Sequence, residues 1–288
     1  MFLYNKFFQF YVNNKKVLNL IKNKEIPLQS IYKSKLFKNM DKKNISFDDK
    51  KLFMSSNNSL CYKSRIEEFN KINYFIKDYE NYFFNHAERD KYMKEKWSNF
   101  DIYKIYIGSC FQQMKADIFR YCFILDNGGY WLDVKSNIYF DPKKIADKNA
   151  DCTLLISPHN LESIEINNGV EKFTSNTKYR RLTNWFIGGK KDSDFIKCLI
   201  SNIVSESREY ENVLFEDPKD AILNLTGPKQ LTRSYLNYNN KKSVFLIDEL
   251  EVDIEHESKY GRKLNIFDNV FTKHYSEQKN KVILKAIQ

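Results

Sequence analysis

The sequence predicts an α/β fold, a mixed central sheet flanked by helices, and two observations predict it. Along the chain, segments with helical apolar spacing alternate with short apolar runs bounded by glycine, proline or polar residues. Near the middle, residues 115–141 read as helix, glycine turn and strand in immediate succession. Composition fits one large domain. The chain has 288 residues, 42% hydrophobic and 16% aromatic, which supplies a sizeable core and excludes a disordered chain.

The central stretch carries the most pattern. Met114, Ile118, Tyr121 or Cys122, and Leu125 recur at three- and four-residue spacing and make one buried helical stripe. Gln113, Asp117 and Arg120 follow the same spacing on another face, so their polar ends project together. Gly128 and Gly129 stand where a left-handed C-cap needs a residue without Cβ. Tyr130-Trp131-Leu132 then begins a strand of high β-propensity. Asp133 and Lys135, two apart, are expected on one face of that strand, with Val134 on the other.

Charge and cysteine usage narrow the function classes. The formal net charge is +10, from 47 Lys+Arg against 37 Asp+Glu, which favours phosphate-bearing or other polyanionic partners. Both signs are spread along the chain without a long basic block, so no nucleic-acid partner is expected. Five cysteines with no C-x-x-C indicate reduced thiols and a cytoplasmic, reducing setting. The four histidines form no H-E-x-x-H pair, so a histidine-built zinc site is not expected. No apolar run is long enough for a transmembrane helix. The aromatic N-terminus, broken by Asn5, Lys6 and Gln9, lacks the apolar core of a signal peptide. Residues 1–24 read as a helix whose Phe7, Tyr11, Leu18 and Ile21 share a face. That face would pack on the domain or rest peripherally on a membrane surface.

In ordered combination, Lys115, Ala116, Asp117, Arg120, Tyr121, Gly128, Gly129 and Asp133 resemble a known block. It belongs to glycosyltransferases with a sugar-binding DXD motif, the OCH1-like and capsular-polysaccharide group, with glucosylating-toxin catalytic domains more distant. Two positions depart from the pattern. Trp131 stands where a tyrosine is usual, and Lys135 replaces the second aspartate of the DXD. The resemblance implies a single GT-A-like, Rossmann-type nucleotide-diphospho-sugar transferase domain over 1–288. Its parts would be an N-terminal helix at 1–24, a nucleotide-sugar-binding half at 25–140 and an acceptor-side half at 141–288. It implies transfer of a hexose from a nucleotide-sugar donor to a glycan or polysaccharide acceptor, with retention of configuration. Asp117, Arg120, Tyr121, Gly128, Gly129, Tyr130 and Asp133 would bind the donor, and Asp133 and Lys135 would be catalytic. Asp117 and Arg120 would grip sugar hydroxyls and phosphate, while Gly128 and Gly129 would let the backbone approach the nucleotide.

Such a transfer needs charge stabilisation on the leaving diphosphate, which a divalent cation on carboxylates supplies in many enzymes. Mg²⁺ or Mn²⁺ would prefer oxygen ligands, and a protonated lysine cannot be one. Three readings of Lys135 follow. It neutralises the diphosphate itself, without metal. Or metal binds through Asp133 with His274 or Asp268 as a further ligand. Or the altered site binds sugar nucleotide or glycan without turnover.

The remaining elements follow in order. The segment 25–37, with Ile26, Pro27 and Ile31, resembles the family's opening strand, and 38–60 reads as polar loop with short helix. Residues 73–78 resemble its second strand, with Asp78 as nucleoside contact or N-cap, followed by a helix over 79–97. The central helix is expected to open near Ser109, capped by its hydroxyl. Residues 153–157 read as a buried strand, 159–181 as an insertion or loop, and 184–189 as a strand running into paired glycines. A helix follows from Ser193 or Asp194, with Phe195, Leu199 and Ile203 on its apolar face. Thr226-Gly227-Pro228 resembles the family's turn into a helix whose free N–H groups could meet an anion. Strands are expected at 243–247 and 266–271. His274 lies where the family places a late histidine against metal or diphosphate.

Overall fold

The computed structural model describes residues 29–37, 50–56, 59–61, 63–163, 165–167, 170–172, 178–256 and 278–287, with backbone alone over 158–179. Its centre is a six-stranded sheet flanked by helices, as predicted. In chain order the strands are β1 Lys51–Ser55, β2 Glu80–Phe84, β3 Gly129–Leu132, β4 Cys152–Ser163, β5 Lys178–Gly189 and β6 Val244–Asp248. In space they lie as β6-β4-β5-β3-β1-β2. β5 pairs antiparallel with β3 and β4, whereas β1 with β2, β1 with β3, and β4 with β6 are parallel. The helices of two turns or more are α1 Lys63–Phe75, α2 His86–Trp97, α3 Asp101–Gly108, α4 Gln112–Asn127, α5 Asp194–Glu206, α6 Pro218–Leu225 and α7 Pro228–Asn237. Among the described residues no helix is long and apolar enough to cross a membrane.

The sheet is buried on both sides. Phe53, Trp131 and Ile187 point into a core built with α4 (Ile118, Cys122) and α5 (Leu199, Ile203). Leu52, Met54, Leu132, Phe186 and Ile247 point into a second core with Ile66, Phe69 and Ile72 of α1. That two-sided burial is why the strands read as short continuous apolar runs.

The central stretch forms nearly as read. Met114, Ile118, Tyr121, Cys122 and Leu125 are all buried along α4. Gly128 ends the helix at φ 65° and donates its N–H to Ile124 O at 2.7 Å. Lys51, buried at the start of β1, donates Nζ to Asn127 O at 2.6 Å, a cation on the negative end of the α4 dipole. Two details differ. Ser109 does not cap α4; its hydroxyl turns back to Ile105 O at the end of α3, and α4 opens after Phe111 without a side-chain cap. Nor do Asp133 and Lys135 share a strand face, because β3 ends at Leu132. Ser136 N–H donates to Asp133 O at 2.9 Å and closes a turn with Val134 and Lys135 at its corner.

The larger corrections fall upstream. Of the segment expected to hold the opening strand, residues 25–28, with Ile26 and Pro27, lie outside the described residues, and Gln29–Ser30 pairs with Leu60–Cys61 outside the main sheet. The first central strand is β1, inside the stretch read as loop, where Leu52, Phe53 and Met54 are fully buried. Three apolar residues in a lysine-rich setting are too few to show a period. Residues 73–75 finish α1, because Ile66, Phe69 and Ile72 keep helical spacing and Tyr74 is 79% exposed. The strand comes later, as β2, and Asn85 rather than Asp78 caps the next helix through a capping box with Glu88. The described residues of the span 159–181 are strand where a loop was expected: β4 runs on to Ser163 and pairs with β5 from Lys178, and Glu165–Asn167 pairs with Val170–Lys172. Residues 1–24, Asp268, the strand at 266–271 and His274 lie outside the described residues.

One topological feature positions the site. The chain lays β2 on one side of β1 and returns to lay β3 on the other, which opens a crevice at the carboxyl ends of β1 and β3. Gly129 anchors β3 at the opposite end, at φ 99°, where an added Cβ would lie 2.9 Å from Lys51 Cβ and Phe53 Cε2. Gly129→Ala is expected to cost about 2–4 kcal/mol through strained backbone and overlap. Urea denaturation would read this as a lower midpoint at unchanged slope. An unchanged midpoint would mean that β3 slides freely off β1.

Candidate functional site

Asp117, Arg120 and Tyr121 occupy one face of α4 by their i, i+3, i+4 spacing, and the fold brings Asp133 to them from the end of β3. Arg120 sits between the two carboxylates. Its Nη2 lies 3.1 Å from Asp117 Oδ1 and 3.2 Å from Asp133 Oδ1. Its Nη1 donates to Asn184 O, and the guanidinium lies 5.2 Å from the Trp131 ring centroid. A guanidinium only 5% exposed needs such counter-charge to be tolerated at all.

Asp117 is enclosed and its oxygens are occupied. Asn184 Nδ2 donates to Oδ1 at 3.0 Å, and the Thr226 hydroxyl donates to Oδ2 at 3.2 Å. Tyr121 joins the same knot, donating its hydroxyl to Thr226 O at 2.8 Å and accepting from Asn184 Nδ2 at 3.3 Å. Burial raises the Asp117 carboxyl to about 7, against the pull of Arg120, with Asp133 pushing the same way as burial. The Thr226-Gly227-Pro228 turn therefore holds Asp117 through its threonine.

Asp133 differs in the one respect that matters for binding: it is partly open. Its Oδ1 accepts from Trp131 Nε1 at 2.9 Å and pairs with Arg120, while its side chain stays 23% exposed. Its Oδ2 has no hydrogen bond or ion pair among the described residues, at the crevice between β1 and β3. The backbone is fixed too, since Asp133 N–H donates to Trp185 O at 2.8 Å. Behind it the turn is clamped from two sides. Buried Arg65 donates to Ser136 O at 2.7 Å and to Asn137 Oδ1. Ser136 Oγ lies 2.8 Å from His256 Nδ1, and the His256 ring stacks on Trp185 at 4.7 Å.

The expected donor residues thus divide. Asp117, Arg120, Tyr121 and Asp133 come together, with Lys135 at the corner of the next turn. Gly128, Gly129 and Tyr130 lie toward the other end of β3. There Gly129 packs on Lys51 and Phe53, and the Tyr130 ring packs near Tyr79 and Phe186. Beside the cluster, His86 and Arg89 in the first turn of α2 meet Lys115 of α4. Burial, with the Arg89 and Lys115 cations, lowers His86 to about 4, against the pull of Asp90. Burial also lowers Arg89, with Arg120 among the charges that depress it.

Sequence reading missed Asn184 and Thr226 as partners of Asp117, although both lie in segments it marked, and gave no signal for Arg65, Ser136 or His256. A metal fits the described residues poorly. No three of their His, Cys, Asp and Glu side chains come together, and Asp133 Oδ1 already faces Arg120 and Trp131.

Fold and site together define an α/β protein with an ionised polar cluster at a sheet crevice. No family model matches the chain, and no curated protein matches it. Among solved structures, it overlays one described as PaToxG glycosyltransferase with a TM-score of 0.44 and 15% identity, over 82% of this chain and 80% of that one. It also overlays a glycosyltransferase involved in glycosylation of the major capsid of PBCV-1, with a TM-score of 0.34 and 9% identity, over 77% of this chain and 98% of that one. The overlap is partial in both, and the architecture rests on the strand order itself.

The raised Asp117 carboxyl has a definite sign in stability. Between about 4 and 7 the folded state holds a proton that the unfolded chain has released, so stability falls as pH rises through that window. Relative to Asp117→Asn, the native protein is expected to lose stability from pH 5 to pH 7 and run parallel above that. Urea midpoints of both proteins at several pH values measure it; identical pH slopes would place the Asp117 carboxyl in the ordinary range.

Proposed function

We propose that this chain is a glycosyltransferase that moves a hexose from a nucleotide-sugar donor to a glycan or polysaccharide acceptor, with retention. The observation that carries the proposal is Asp133. It is a carboxylate with one oxygen braced by Arg120 and Trp131 and the other open at the crevice where doubly wound sheets bind nucleotides. A braced carboxylate is suited to accept hydroxyl hydrogen bonds from ribose or sugar in one fixed direction. Arg120, Arg89 and Lys115 supply positive potential for a diphosphate. Asp117 orients Arg120 from behind, and Tyr121 orients Asn184.

In this reading Lys135, at the turn beside Asp133, carries the positive charge that balances the leaving diphosphate, and no step passes through a metal. The reducing, cytoplasmic setting belongs to the same proposal; all five cysteines are free. A second reading, sugar-nucleotide or glycan binding without turnover, is favoured only by the lysine that replaces the second aspartate.

The test is nucleotide release from a panel of UDP- and GDP-sugars, run in EDTA and again with Mn²⁺, beside Asp133→Ala and Lys135→Ala. Turnover in EDTA is expected, falling on the order of 100-fold or more in either variant. Turnover that requires Mn²⁺ would move charge balance to ligands within 257–277, His274 first. Donor binding without turnover anywhere in the panel would establish the non-catalytic reading.

A further inference from the structure

The helices beside the crevice leave a groove on the surface. β1, β2 and β3 run in one direction, so α2, which follows β2, begins at their carboxyl edge. α4, which precedes β3, begins at that edge as well. α3 returns toward it: Tyr106, near its end, donates its hydroxyl to Asp90 in the second turn of α2 at 2.5 Å. Among these helices lies an open groove of about 690 Å³. Spacing of three and four residues sets Lys91, Lys94 and Glu95 of α2 along one wall and Tyr103, Tyr106 and Ile107 of α3 along another. Lys115 of α4 joins the lining two residues before Asp117, which puts that part of the groove beside the Arg120 cluster.

Charge in the groove is unbalanced. Both of its carboxylates are engaged, Asp90 by the Tyr106 hydroxyl and Glu95 by Lys91 at 3.8 Å. Lys94 and Lys115 have no ion pair and no side-chain hydrogen bond among the described residues. The Lys115 ammonium lies instead over the Tyr106 ring, 5.2 Å from its centroid, and the Tyr103 ring stacks on Tyr106 at 6.4 Å. Asp90 fixes the Tyr106 hydroxyl, so the ring and the ammonium over it are placed before any anion arrives. The rest of the lining is mixed. Ile107 is 40% exposed, and Tyr103 is partly exposed, with no hydrogen-bond partner for its hydroxyl among the described residues.

We propose that this groove binds an acidic saccharide chain running outward from the crevice. Its carboxylates pair with Lys94 and Lys115, and its hydroxyls meet Tyr103 and the Lys91–Glu95 pair. Its C–H faces rest on Ile107 and the open part of Tyr103. Two uncompensated cations select an acidic occupant, and the apolar and hydroxyl-bearing walls suit a chain better than a lone inorganic anion. The choice of a saccharide among acidic chains rests on the transferase reading, in which the groove is the path of the acceptor.

The test is binding, independent of turnover. An end-labelled galacturonate hexamer is titrated with the full chain by fluorescence anisotropy, with the unlabelled hexamer, maltohexaose and hexaglutamate as competitors. Saturable binding is expected at low salt, weakening as salt is added, with the unlabelled hexamer the most effective competitor. Affinity should fall about threefold in Lys94→Gln and about tenfold in Lys94→Glu. Lys242→Gln removes the same charge from the opposite edge of the sheet, just before β6, and should leave affinity unchanged. No saturable binding, or equal losses in Lys94→Gln and Lys242→Gln, would overturn the groove as a site. Hexaglutamate competing as well as the unlabelled hexamer would overturn the saccharide and assign the groove to an acidic peptide; maltohexaose doing so would overturn the role of charge. Nucleotide release from sugar donors without acceptor, which Lys94→Gln should not change, separates this proposal from the transferase reading. Binding with no release from any donor would keep the groove and remove that reading; release with no binding would do the reverse.

Discussion

One guanidinium placed between two carboxylates governs this molecule's polar architecture. Arg120 is nearly dry, and a dry cation is tolerable only with charge and hydrogen bonds on every side. Asp117, Asp133, Asn184 O and the Trp131 face provide them. The arrangement makes a helix and a strand end mechanically one piece, so a displacement of α4 is felt at Asp133. It also divides labour between two aspartates. One is sealed in and keeps the arginine oriented, while the other is held by the arginine and left partly open.

The same division explains how charge is arranged around the crevice. Two carboxylates and one arginine carry a net negative charge when both are ionised, which alone would repel a phosphate. The proton that Asp117 takes up near neutrality reduces that charge. The nearby cations of α2 and α4, Arg89 and Lys115, offset the rest. A basic chain has here placed part of its excess beside its most acidic buried cluster.

What could be read in the sequence was the local part. Residues 112–132 were legible because periodicity, a positive-φ glycine stop and β-propensity all act within a few residues. The adjacency of Asp117, Arg120 and Tyr121 was legible for the same reason. β1 was not, because its three core residues sit among lysines and its strand character comes from burial on both faces. The turn at 133–136 looked like continued strand, since nothing nearby in sequence announces Arg65, which holds it from a helix 71 residues away. Asn184 and Thr226 were invisible as partners of Asp117 for the same non-local reason. The aromatic pair Tyr74-Phe75 misled in the opposite direction, a strand-like composition that is simply the exposed end of α1.

The Asp117 knot has a consequence for how the chain is made. Its partners lie 3, 67 and 109 residues further along, at Arg120, Asn184 and Thr226. During synthesis, α4, β1, β2 and β3 all emerge before Asn184 does, so most of the sheet's parallel half exists while that carboxyl is still short of partners. Until residue 226 has left the ribosome, Asp117 lacks its Thr226 partner, and water or a proton must stand in for that hydroxyl. The pocket is therefore the last part of this half of the molecule to close, and it closes from the C-terminal side.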